Sequence, residues 1–109
     1  MAAVTTTPTI VWVGKSGVQY TYWIYPIRAP LAAKGGNYIF SKQGQDGLWY
    51  PLYIGQTGNL SERFDDHHKA ARIIGAGATH IHARLNAEKT ARLAEESDLV
   101  SHWRPSCNG

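Results

Sequence analysis

Residues 37–57 read NYIFSKQGQDGLWYPLYIGQT. Both ends are rich in β-branched and aromatic residues, and QGQDG between them supplies turn formers. Strands are therefore predicted over 37–42 and 49–57, joined as one hairpin. Pro51 fits the start of a strand better than its centre. Side chains alternate along a strand, so Tyr53 and Gly55 share one face and Ile54 takes the other. Gly55 leaves open space beside Tyr53, and a glycine inside a strand marks a bulge or a close approach. Tyr38 lies on the neighbouring strand, so two phenols can share a face. A tyrosine hydroxyl relays a proton if its pKa is lowered or if it is coupled to a metal-bound water. The plain alternative is a pair of half-buried sheet tyrosines.

Working outward, TIVWV and VQYTYWIYPI flank GKSG, which predicts a β-hairpin over 9–27. NLSERFDDHHKAARII (59–74) is predicted helical, with Asn59 as N-cap and Glu62 completing a capping box. Its apolar stripe is Leu60, Phe64, Ala71 and Ile74. THIHARL (79–85) alternates as a strand does. Asn86 can cap a last helix over about 87–103, which ends before Pro105. The order predicts an α+β domain, a small and mainly antiparallel β-sheet flanked by helices. Residues 1–8 read as a loose tail and 9–109 as one domain.

The 109 residues allow one core, and 43% hydrophobic with 17% charged residues fits a globular chain. A net charge of +3 is compatible with a polyanionic partner without requiring one. A single cysteine, Cys107, rules out an internal disulfide and reads as a free thiol in a reducing compartment. MAAVTTTPTI lacks the basic start and apolar core of a signal peptide, and no apolar run is long enough for a membrane span. An intracellular, cytoplasmic protein is expected.

Two charged positions stand out on the helices. Arg63 and His67 are four residues apart and stack on the side expected to face the sheet. Arginine's planar fork suits a phosphate, with a carboxylate partner as the plain alternative. On the last helix, the stripe formed by Leu93, Leu99, Val100 and Trp103 centres at about 300° from Leu93, where Glu96 falls. Glu95 falls off the edge and reads as a solvated charge. A buried Glu96 requires a cation, either an arginine or a divalent metal. His80 and His82 share a strand face but lack a third zinc ligand.

Taken in order, these residues resemble the GIY-YIG nuclease superfamily, and within it the N-terminal nuclease domain of the C component of excinuclease ABC. GNY (36–38) resembles the first signature, with Asn37 in place of isoleucine, and YIG (53–55) is the second intact. Arg63 stands eight residues after Gly55, as the family's arginine does, and His67 matches a histidine of many members. EESDLVSHWRPSCN is similar to the family's closing pattern, which aligns Glu96 with its metal-binding glutamate and Asn108 with its asparagine. The resemblance covers 35–108. Residues 9–27 lie outside it as an extra N-terminal hairpin.

The resemblance implies an endonuclease that hydrolyses DNA phosphodiester bonds, in repair or processing of DNA, with one Mg²⁺ or Mn²⁺ held by Glu96. It implies catalytic roles for Tyr38, Tyr53, Arg63, His67 and Glu96. It places Gly55, Gln56, Thr57 and Asn108 on the substrate side. Arg63 would stabilise transition-state charge, and one tyrosine would take a water proton while the other positions it. Specificity would come from the hairpin, an accessory protein or a homodimer. A non-catalytic nucleic-acid-binding module on the same fold is the alternative. In that case Tyr20, Tyr22, Trp23 and Tyr25 could offer stacking surfaces, although sheet packing is their plainer role.

Overall fold

The computed structural model describes residues 7–62 and 67–109. Five strands form one sheet: β1 (Thr9–Val13), β2 (Gln19–Pro26), β3 (Gly36–Gln43), β4 (Trp49–Thr57) and β5 (His80–Leu85). Their spatial order is β1-β2-β5-β3-β4, and every pairing is antiparallel. Helix α1 (Ala70–Gly75) and helix α2 (Lys89–Trp103) accompany the sheet, and a 3-10 turn covers Ser106–Asn108. The predicted strands and both hairpins are present. Pro51 lies inside β4, not at its start. It is tolerated because β4 is an edge strand with a bulge between its pairings Phe40↔Tyr53 and Ser41↔Pro51.

Register divides the sheet into two faces. Ile24, His82, Ile39 and Ile54 are successive partners across four strands. Their face packs with Trp12, Tyr22 and Leu99, which links the N-terminal hairpin to α2. On the other face Tyr25, Ile81, Phe40 and Tyr53 form one row, and Trp23, Ala83, Tyr38 and Gly55 form the next. The hairpin over 9–27 is thus two full strands of the sheet and supplies Trp12 and Tyr22, two of the five buried residues of one core cluster.

His82 is fully buried and belongs to that core. Trp12 Nε1–H donates to its Nδ1 at 2.9 Å, so the ring proton sits on Nε2, which faces Ser41 Oγ at 2.9 Å. Both ring nitrogens are thus engaged within the core, and His82 has none left for a metal. Trp49 packs between His80 and His82, its ring meeting each edge-on.

Both helices differ from the sequence expectation. Residues 59–62 and 67–69 are turn and irregular chain, and helix α1 starts at Ala70. Phe64 and the expected stacking of Arg63 on His67 lie outside the described residues. Local bonds hold the turn instead. Asn59 Oδ1 accepts the Ser61 N–H at 2.9 Å, so no capping box with Glu62 forms, and His67 Nδ1 accepts the Lys69 N–H at 3.1 Å. Such side-chain bonds compete with helical ones. Ile73 is buried in α1, whereas Ile74 and Ala71 are exposed.

Helix α2 starts at Lys89 without a side-chain cap. Asn86 donates instead to Asn37 Oδ1 and Glu95 Oε1. The inward residues of α2 are Arg92, Glu95 and Leu99. Leu93 and Trp103, which anchored the predicted stripe, are 44% and 37% exposed. Glu95 is therefore not solvated: it is 3% exposed and accepts from Tyr22 Oη, Arg84 Nε at 3.1 Å and Asn86. Arg92 is buried because its guanidinium reaches Gln56 Oε1 and the carbonyls of Asn86 and Ala87. Among the described residues, no buried side-chain nitrogen or oxygen lacks a partner.

Burial lowers the His82 pKa from 6.5 to about 4. The unfolded chain therefore binds a proton that the folded chain refuses. This stabilisation is complete above about pH 6.5 and is lost as pH falls toward 4, on the order of 3 kcal/mol in all. We expect urea unfolding to show falling stability over that window, with the His82 ring signals in NMR unshifted down to about pH 5. A His82 titration near 6.5 would contradict this.

Candidate active site

The site is built on the sheet face opposite α2's main contact. Tyr38 on β3 pairs with Gly55 on β4, one step along from Tyr53. The rings of Tyr38 and Tyr53 stack with centroids 6.2 Å apart and 26° between planes. A Cβ on Gly55 would stand 2.6 Å from the Tyr38 hydroxyl and 2.9 Å from Tyr53 Cε2. The close approach expected at Gly55 is thus made by the Tyr38 ring itself.

His67 closes over the pair. Its ring meets Tyr53 edge-on at 4.9 Å, and its Nε2 lies 2.9 Å from Tyr38 Oη. The Lys69 backbone N–H already donates to Nδ1, so Nδ1 carries no proton. Burial, with His68 and Lys69 nearby, lowers the His67 pKa, which keeps the ring neutral. The one proton is then on Nε2, and His67 donates to the Tyr38 oxygen. Lys69 also sets its ammonium 5.6 Å from the centre of the Tyr53 ring while donating to the Cys107 carbonyl. Nothing in the sequence pattern singled out Lys69, because it lies between helix and turn.

Glu96 is half-buried. Burial raises its pKa, and a bond from the Gln56 backbone N–H works against that rise. That bond uses one of about four lone-pair sites on a carboxylate. Glu96 lies close enough to the tyrosines for its charge to raise both phenols. For Tyr38 the causes are burial first, then Tyr53, then Glu96; for Tyr53, burial and then Glu96. The structure thus brings Tyr38, Tyr53, His67 and Glu96 together. Arg63 lies outside the described residues.

The four positions expected on the substrate side mostly shape the site. Asn108 clasps Ile54 twice, Oδ1 accepting its N–H and Nδ2 donating to its carbonyl, each at 2.9 Å. Both ends of its amide are used on β4, beside Tyr53 and Gly55. Gln56 turns its side chain to Arg92, at 3.0 Å. Thr57 Oγ1 accepts the Asn59 N–H at 3.1 Å and so bends the chain leaving β4. Beside the tyrosines opens a cleft of about 400 Å³, lined by Tyr38, Phe40, His67, Arg28, Thr57 and Asn59 among others.

Among the described residues, no three His, Cys, Asp or Glu side chains cluster as a closed metal cage. The donor set fits a hard cation bound in the open manner of Mg²⁺, through one carboxylate with water and substrate oxygens completing the shell. Glu96, with lone pairs beyond the one given to Gln56, is the residue that would hold it.

Solved structures carry the same fold. The chain is 26% identical to the GIY-YIG N-terminal endonuclease domain of UvrC from Thermotoga maritima bound to magnesium, its catalytic divalent cation. That match covers 76% of this chain and 91% of that one, with a TM-score of 0.59. Against a tyrosine-to-phenylalanine point mutant of that domain, also bound to its cation, identity is 27%. Coverage is 76% and 90%, and the TM-score is 0.60. No protein-family model and no curated protein matches the chain. The chain has the α+β fold of a GIY-YIG nuclease domain.

Gly55→Ala tests the packing of the pair. The added methyl would push Tyr38 off His67 and destabilise the protein by about 1–3 kcal/mol. We expect a lower melting temperature and a changed His67 Nε2 shift in NMR. Unchanged values for both would mean that the rings do not need the space.

Proposed function

We propose that this protein is a divalent-metal-dependent endonuclease that hydrolyses DNA phosphodiester bonds, acting in the cytoplasm in repair or processing of DNA. One observation carries the reading. Two stacked phenols, a neutral histidine donating to one of them and an under-used carboxylate converge at one sheet edge, in a chain with a nuclease-domain fold.

A Mg²⁺ or Mn²⁺ ion held by Glu96 would supply Lewis-acid charge to a phosphate oxygen and to the leaving 3′ oxygen. The chain's own residues do the rest. Arg63, matched to the family's arginine, stabilises the negative charge that builds on the phosphate. Tyr38, once its own proton has passed to solvent through the adjoining cleft, is the better placed acceptor of the water proton. Its oxygen already receives the His67 Nε2–H, a bond that strengthens as the oxygen becomes negative. Tyr53 orients the attacking water. His67 acts as a donor to Tyr38, not as the group that removes its proton. Asn108 fixes the strand that carries Tyr53.

The raised phenols set a condition. Burial and the charge of Glu96 both hold Tyr38 and Tyr53 protonated at neutral pH. Glu96, with its charge balanced by a bound cation, would no longer raise the two phenols.

Two measurements test the proposal. Supercoiled plasmid with Mg²⁺ or Mn²⁺ should be nicked by the wild type. Glu96→Ala and Arg63→Ala should each slow nicking by about 100-fold or more. Nicking that persists in both variants would falsify the assignment, and binding without cutting by the wild type would leave only a binding module. Separately, phenolate absorbance in an alkaline titration should start at lower pH with Mg²⁺ than without it, and Glu96→Gln should abolish that difference. Equal titrations of the wild type with and without Mg²⁺ would remove Glu96 as the metal ligand.

A further inference from the structure

The row that holds Tyr38 does not stop at the nuclease signatures. Gly55, Tyr38, Ala83 and Trp23 are successive partners across β4, β3, β5 and β2. Directly paired residues point to the same face. Trp23 therefore stands on the active-site face, two strands from Tyr38, or about 10 Å at ordinary strand spacing. Ala83 between them is small and buried.

The four aromatic residues of β2 behave differently. Tyr22 is fully buried on the α2 face, and Tyr20 is tied to Asp98 at 2.8 Å. Tyr25 packs against the core cluster around Phe40 and Ile81. Trp23 alone of the four is an exposed large hydrophobic, at 46%. Val11 and Leu85, also exposed, flank it on the same face. An indole kept in water on the face that carries Tyr38 is not accounted for by sheet packing.

We infer that Trp23 is a stacking platform for an unpaired nucleobase of the substrate strand, one or two nucleotides from the cleaved phosphate. This rests on the nuclease reading of the tyrosine site. A phosphate seated at Tyr38 directs its flanking nucleotides across this face, and Trp23 is the first broad exposed ring along the row. Indole offers a π-face to any base but cannot reach a base held inside a duplex stack, so the preferred substrate is single-stranded or locally unpaired. The N-terminal hairpin, outside the family's signatures, then supplies substrate preference.

The test is binding in EDTA, where no metal-dependent cutting occurs, using a fluorescein-labelled oligothymidylate and the matching duplex. Wild type should bind the single strand more tightly than the duplex. Trp23→Ala should weaken single-strand binding by about 5- to 100-fold, the usual loss for one stacking residue. Trp23→Phe should stay near wild type, and melting temperatures of all three should agree. Equal affinity of wild type and Trp23→Ala for the single strand overturns the inference, as does failure of the wild type to bind either DNA. A wild-type dimer in sedimentation that Trp23→Ala abolishes, with DNA binding unchanged, would assign the face to a second copy and also overturn it. Single-strand binding that depends on Trp23 in a protein that never nicks plasmid would keep Trp23 as a base-stacking platform and overturn the nuclease reading and the placement beside a cleaved phosphate.

Discussion

Burial of one carboxylate sets the rotation of α2. Glu95 is almost completely enclosed, and an enclosed carboxylate without donors costs several kcal/mol. Its donors come from three places: Tyr22 on β2, Arg84 on β5 and Asn86 before the helix. Turning α2 by one residue, about 100°, would strip Glu95 of all three. The same rotation fixes its neighbours. Glu96 is carried to the free edge of β4 beside Gln56, and Asp98 meets Ser16 and Tyr20 on the hairpin. Two of the three carboxylates are consumed by the hairpin and its sheet. Glu96 is left facing the tyrosines.

That placement also solves an edge problem. β4 ends the sheet, and an unpaired strand edge invites pairing with another chain. Here α2 and the segment after it cover the edge with side chains. Glu96 takes the Gln56 N–H, and Asn108 takes both polar groups of Ile54. Arg72 and Lys69 hold the covering segment from the other side through the carbonyls of Ser106 and Cys107. The residues that protect the strand thus also frame Tyr53 and Gly55.

What could be read from sequence followed the range of the interaction involved. Strand limits, turns and the shared face of Tyr38 and Tyr53 depend on period-two alternation and local turn chemistry, and both were legible. The rotation of α2 was not. The apolar stripe counted Leu93 and Trp103 as inward and could not value Arg92, whose burial depends on carbonyls brought near by the fold. The stripe put Glu96 at its centre and Glu95 off its edge, whereas Glu95 is the enclosed carboxylate and Glu96 is half-buried. Residues 59–62 and 67–69 depart from the predicted helix because helical spacing says nothing of the competing bonds made by Asn59 and His67. The tautomer of His67 needed the Lys69 amide, which no pattern reveals.

Asn37, where the family signature has isoleucine, follows from the same constraint. It is fully buried, yet each end of its amide is used. Nδ2 donates to the Arg92 carbonyl at 2.9 Å, and Oδ1 accepts from Asn86 at 3.1 Å. Asn86 in turn donates to Glu95. An isoleucine there would strand the Asn86 amide between Glu95 and an apolar side chain and would release one tie between β3 and α2. Asn37, Asn86, Glu95, Arg84 and Tyr22 act as one connected unit, and the unit reaches from β3 beside Tyr38 to the hairpin strand that carries Trp23. The network lies on the α2 face and ties the strand that carries Tyr38 to the strand that carries Trp23 from behind the site.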